Sequence, residues 1–166
     1  MKISISLINF SGKPKNYAIL DNYVSRSAQP QKEDFLWLKE QGVTDIFNFR
    51  TMYSPDIDFD EELTVKKIGL KYHSIPSVTS KPSEENIDLF LKEIDDVKNK
   101  GGKAHIHCKA GADRTGMYAF IYKMKNGIGN LSSNISEWFE HGHNNKRYPD
   151  LVKWTTNFIK KLPNKN

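Results

Sequence analysis

The chain has little cysteine: one residue, Cys108, in 166. A lone thiol excludes an intrachain disulfide framework and any cysteine-based zinc cluster, and its natural home is a reducing compartment. No apolar run reaches the length a transmembrane helix needs, so no membrane span is expected. Internal repeats are absent, and so is low-complexity sequence beyond the polar tail Pro163-Asn164-Lys165-Asn166. Arginine is scarce too. Lysine supplies 21 of the 25 basic residues behind a net charge of +5, and scattered lysine describes a solvated face that favours anionic substrates modestly. No nucleic-acid partner is expected from it. The opening stretch Met1–Phe10 is too short and too broken by Ser4, Ser6 and Asn9 for a signal peptide, and it lacks a small-residue cleavage site. It reads as an edge strand or a loose arm, and the chain as cytoplasmic.

What is present describes a globular domain. Hydrophobic residues make up 37% and charged residues 27%, and this length buries about two-thirds of the unfolded surface around one core. One domain over residues 1–166 is expected, with its core at 17–162 and with 1–12 and 163–166 loose. Asn16–Leu20 and Tyr23–Ser25 read as short strands around the Asp21-Asn22 turn. Pro30 opens a helix to Gln41 with Phe35, Leu36 and Leu38 on its inner side, stopped by Gly42. Val43–Phe49 is a strand, Asp58–Lys67 a weaker helix, Lys71–Ile75 a strand and Pro76–Pro82 a loop. Ser83 caps a long helix whose Ile87, Phe90, Leu91, Ile94 and Val97 follow the helical period. Lys103–His107 is the next strand, followed by a glycine-containing loop and helices at Thr115–Lys125, Leu131–Glu140 and Pro149–Leu162. Alternating strands and helices predict an α/β fold, a mostly parallel central sheet with helices on both faces. Ligands in such sheets bind where strands turn into helices at their carboxyl ends.

Cys108–Arg114 falls at such a place. A seven-residue loop curling around one point aims successive backbone N–H groups inward, and the helix behind it adds its positive end. The Arg114 guanidinium can grip two phosphate oxygens as a fork. The same positive surroundings favour a thiolate at Cys108, a nucleophile aimed at phosphorus. Gly111 permits an unusual backbone angle. Thr115 places a hydroxyl beside the sulfur, able to stabilise it as a leaving group. The competing reading is an inert buried thiol.

The string His107-Cys108-x5-Arg114-Thr115-Gly116 resembles the signature loop of the protein tyrosine phosphatase superfamily, in its compact dual-specificity-like branch. Arg26-Ser27-Ala28-Gln29-Pro30, the Leu38–Arg50 stretch and Gly69–Pro76 are similar to small bacterial members, so the resemblance spans roughly residues 17 to 162. It implies that Cys108 forms a phosphocysteine, Arg114 binds the phosphate and its transition state, Thr115 assists thiolate departure, and His107 holds the loop and supports the thiolate. Lys109, Ala110, Gly111, Ala112, Asp113 and Arg114 would wrap the phosphate, with no metal or organic cofactor. The implied partner is a phosphorylated protein or a small phosphorylated substrate.

One departure concerns the general acid. Members of the superfamily carry an aspartate on an upstream loop, whereas Pro76–Pro82 has no carboxylate here. Glu84 and Glu85 are nearest but also read as the acidic first turn of a helix. Asp113, beside Arg114, is similar to the loop aspartate of myotubularins and of some bacterial phosphatases with lipid-like specificity; it is either the acid or a structural carboxylate. Lys109-Ala110-Gly111 resembles the loop of phosphatase-and-tensin-type lipid phosphatases, although Ala112 replaces their second lysine. Lys109 is equally a solvated rim charge. His141-Gly142-His143 is thin as a metal site and reads as a helix end near the loop. His105 is a core or supporting residue, and Arg50 an ion-pair partner holding the loop. Three functions follow: a phosphotyrosine or dual-specificity phosphatase, a phosphoinositide or inositol-phosphate phosphatase, and a weakly catalytic phosphate-binding module. A rhodanese-like sulfurtransferase is disfavoured by Asp113-Arg114-Thr115-Gly116.

Overall fold

The computed structural model describes residues 12–51 and 54–163. Five strands, β1 (Ala18–Ile19), β2 (Val24–Ser27), β3 (Asp45–Asn48), β4 (Lys71–Ser74) and β5 (Ala104–His107), form one sheet in the order β1-β2-β5-β3-β4. Only the β1–β2 pair is antiparallel. The expected mostly parallel α/β sheet is what forms. The arm proposed for Met1–Phe10 lies outside the described residues.

Helices cover both faces because each buries one apolar stripe. On one side α1 (Asp34–Glu40) and α2 (Glu61–Lys67) bring Phe35, Leu38 and Val65 onto Ile46 of β3. On the other, α3 (Glu84–Asn99), α4 (Asp113–Lys125), α5 (Leu131–Glu140) and α6 (Leu151–Ile159) enclose Phe47, Ile106, Phe90, Tyr118 and Trp138. The five apolar positions expected to line α3 are all buried, and Ser83 Oγ accepts from the Asn86 N–H at 3.2 Å.

Several expectations need correction, among them the starts of two further helices, α2 at Glu61 rather than Asp58 and α6 at Leu151 rather than Pro149. The first helix starts at Asp34, four residues after Pro30, because the Asp34 carboxylate accepts from the Gln31 N–H (2.7 Å) and folds residues 31–34 into a turn. Leu36 is 54% exposed; Phe35 and Leu38 alone face inward, three positions apart on one side of that helix. Likewise the helix expected from Thr115 begins at Asp113, so the last two residues of the loop are the first turn of α4.

Parallel pairing aligns the strand ends that matter. Ser27, His107, Asn48 and Ser74 stand in one cross-strand row at the carboxyl edge of the sheet. Cys108 is the next residue along the central strand.

Candidate active site

Between β5 and α4 the chain has only Cys108–Ala112 in which to turn. Gly111 makes the turn with φ +69°, and a Cβ there would lie 2.5 Å from the backbone of Ser27 and Ala28. No side chain fits. Three successive loop carbonyls are held from outside. The Gln29 N–H donates to Lys109 O (3.0 Å), Asn16 Nδ2 to Ala110 O (3.1 Å) and Arg26 Nη2 to Gly111 O (2.6 Å). In a trans peptide the N–H points opposite the C=O, so anchoring these carbonyls outward turns the intervening N–H groups toward the loop's centre. Among the described residues, none of the N–H groups of 109–112 has a backbone partner. The result is a nest of free donors, the geometry that binds an oxyanion.

Around the nest stand the residues expected there. Cys108 is buried, with 2% exposure. Arg114 is half-buried at the start of α4, its Nη1 3.5 Å from Phe49 O, so its guanidinium is only loosely engaged. Thr115 Oγ1 is buried without a hydrogen-bond partner among the described residues, an atom left free for a sulfur or a phosphoryl oxygen. Lys109 is exposed at the rim. His107, fully buried, donates from Nε2 to Glu61 Oε2 (3.0 Å), and its Nδ1 lies 3.3 Å from Cys108 O. Burial alone would raise the Glu61 carboxyl, but the His107 ring and hydrogen bonds from Gln29 and Tyr72 outweigh it and hold it below the usual range. Asn48 Nδ2 also donates to Glu61, so α2 supplies a carboxylate that fixes the residue before Cys108.

Asp113 is tethered rather than free. Its Oδ1 accepts from His143 Nδ1 (2.7 Å) and from the Asn144 N–H (2.8 Å). His143 has a fully buried side chain, packed between Trp138 and Phe139. His141 binds Asn16 Oδ1 (2.7 Å); the two histidines thus serve separate partners. Arg50 pairs with Asp56 and reaches Gln29 Oε1 (2.9 Å), supporting the loop through Gln29. His105 sits in the core on the same face of β5 as His107, its two ring nitrogens against Ser25 and Ser27 (2.8 and 2.7 Å), and burial drives its pKa well below the ordinary value. Glu84 and Glu85 open α3, and Glu84 pairs with Lys161 (2.8 Å).

The sequence profile of Tc-R-P, described as "Polymorphic toxin system, DSP-PTPase phosphatase", matches residues 22–128, a span containing the entire loop together with Arg26, Gln29 and Glu61. The chain belongs to this phosphatase family. Its fold recurs in solved structures of low identity. A protein of Shewanella putrefaciens CN-32 assigned as a phosphatase (DUF442) is 24% identical, covering 96% of this chain and 99% of that one, with a TM-score of 0.77. TpbA of P. aeruginosa is 16% identical over 90% of this chain and 86% of its own, with a TM-score of 0.68. The catalytic core of the PP-IP phosphatase SIW14 from S. cerevisiae is 19% identical over 92% and 88%, also at 0.68.

In this phosphatase, three supports escaped sequence reasoning. Glu61 was not singled out within the helix expected over Asp58–Lys67. Arg26 appeared only as part of a similar string. His143 was weighed only as a metal ligand or helix end. The available signal was Arg26 itself, a charged residue between Ser25 and Ser27 in a four-residue strand whose residues are all buried. Among the described residues no helix is long and apolar enough to cross a membrane.

Proposed function

We propose that this phosphatase hydrolyses phosphomonoesters through a phosphocysteine, with phosphotyrosine or a similar phosphorylated protein side chain as substrate. The observation that carries the reading is the outward anchoring of three loop carbonyls around a buried cysteine, with Arg114 at the mouth. The Cys108 thiolate attacks phosphorus while Arg114 and the loop N–H groups hold the equatorial oxygens. The P–O bond to the leaving group breaks, and the departing oxygen takes a proton. Water then attacks the phosphocysteine, the P–S bond breaks, and Thr115 stabilises the released thiolate. Positioning and charge stabilisation supply most of the rate.

Asp113 is the proton donor best supported. Pro76–Pro82 holds no carboxylate, Glu84 is engaged with Lys161, and Arg50 holds the Asp56 carboxyl below its usual range. Asp113 Oδ2, in contrast, has no hydrogen-bond partner among the described residues, while Oδ1 is pinned. A neighbouring structure, TpbA, was solved with phosphotyrosine, which favours an aryl phosphate. The exposed Lys109 and the likeness to a PP-IP phosphatase favour a second reading, an inositol phosphate. A reducing compartment such as the cytoplasm suits the catalytic thiol.

Turnover on phosphotyrosine peptides, phosphoinositides, inositol phosphates and an activated aryl phosphate tests these readings. Cys108→Ser is expected to abolish turnover on all of them, because a hydroxyl is a far poorer nucleophile at neutral pH. Inorganic phosphate should still raise that variant's melting temperature, since the nest and Arg114 remain. A Cys108→Ser variant with half the wild-type turnover would exclude covalent catalysis.

A further inference from the structure

Arg26 is the most deeply buried charge in the molecule's active half, with 1% exposure. It stands at the carboxyl end of β2, on the face away from His105, and no step above uses its charge. Taking a guanidinium out of water costs several kcal/mol unless a partner compensates it. The compensation here is incomplete. Nη2 is spent on a neutral carbonyl, that of Gly111, and Nε has no partner among the described residues. The carboxylate in reach, Glu137 of α5, lies 3.7 Å from Nη1 and is itself 24% exposed. Glu137 is also shared, since Lys123 of α4 pairs with its other oxygen. The remaining titratable neighbour, His141, is held below its ordinary pKa by burial and by Arg26. Burial likewise lowers Arg26 to about 10, opposed by Glu137 and by Cys108.

A buried cation with a borrowed counter-ion, tied to the loop that carries the nucleophile, is short of one negative charge. We infer that Arg26 is a positioning residue whose unbalanced charge, beneath the loop, stabilises the anionic form of Cys108 while its hydrogen bond to Gly111 O keeps the nest open. The inference rests on the thiolate nucleophile proposed above and extends it to a residue outside the signature loop. The charges facing Arg26 are Glu137, Lys123, His141 and Cys108, from α5, α4, the turn after α5, and the loop.

The single cysteine makes the test clean: iodoacetamide modifies only Cys108, and its rate can be followed from pH 5 to 10 without turnover. Arg26→Met should displace the curve to higher pH, slowing alkylation about tenfold on its acid limb, where a one-unit displacement is felt in full, and leave the rate at pH 9.5 within about twofold. Arg26→Lys should fall between, keeping the charge but losing the fork. Glu137→Gln, which removes the competing carboxylate, should move the curve the opposite way, and it remains informative if Arg26→Met fails to unfold cooperatively. Equal loss at every pH in Arg26→Met, or an unmoved curve in both Arg26→Met and Glu137→Gln, would overturn the inference. A wild-type thiol no more reactive at pH 6 than free cysteine would instead overturn the nucleophile reading on which it rests.

Discussion

Both hydrogen bonds to Asp113 end on the same oxygen, and this decides how a substitution there can be read. Asparagine can keep the acceptor that His143 and Asn144 use while losing the group that carries a proton. Asp113→Asn should therefore preserve the loop and slow alkyl and tyrosyl phosphates by about 100- to 10,000-fold, the usual cost of losing a general acid. An activated aryl phosphate needs no proton on departure, so single-turnover phosphorylation of Cys108 by it should change little. Parallel losses on both substrates would show a deformed loop and reject Asp113 as the acid. At this scale the sequence was readable where the chemistry is local. Cys108, Gly111, Arg114 and Thr115 occupy the places their spacing demanded, because a short loop between a strand and a helix leaves few alternatives. Glu61, Arg26 and His143 were not readable, since each matters through a contact with a residue far along the chain, and nothing in its own neighbourhood marks it.

Helices show the same division. Period and the Ser83 cap located α3, and period alone located α5, because an amphipathic stripe is self-describing; the Asn130 cap of α5 emerges only in the structure. The Pro30 start failed because a side-chain turn at Asp34 competes with the first helical turn. Between helices, closeness depends on Gly116, where a Cβ would lie 2.1 Å from the Trp138 indole. Gly116→Ala should push α4 from α5 and cost about 1–3 kcal/mol in urea unfolding. Trp138→Ala removes the clashing atoms, among them Nε1, which has no partner among the described residues; the double variant should thus lose less than the sum. At the far edge His73 of β4 joins β3 and α3, its ring bound to Asp45 (2.7 Å) and Glu93 (2.9 Å) and stacked on Phe47. Burial would lower the His73 pKa, but the two carboxylates outweigh that and raise it above 6.5, while His73 helps hold Asp45 below 3.8. The stability from protonated His73 is complete below its unfolded pKa and lost as pH rises through the raised value. That from ionised Asp45 is complete above its unfolded pKa and lost as pH falls through the lowered one. The melting-temperature gap between wild type and His73→Gln should then be widest between about pH 4 and 6.5 and narrow as pH rises through the raised His73 value. A gap constant to pH 9 would reject the ion-pair account.

For the molecule as a whole, the slot between β2 and β3 is filled by β5, which follows both in the chain. Val24 and Asp45 both align with Ala104. Such long-range parallel pairing is slow, because the loop must close before the contacts reward it. On dilution from urea, tryptophan fluorescence and phosphatase activity should recover with one rate; activity lagging far behind would place loop formation after sheet closure. The order of strands also matters during synthesis, which proceeds from the amino terminus. Until residue 107 has left the ribosome, β2 and β3 each present an unpaired edge, and only the β1–β2 and β3–β4 pairs can form. A nascent chain therefore carries exposed strand edges for about half of its translation, between β2 and β5, and such edges are prone to aggregate. Because Cys108, the proposed nucleophile, directly follows that last strand, no chain that stops short of β5 carries it, and its loop has no folded frame until the sheet can close.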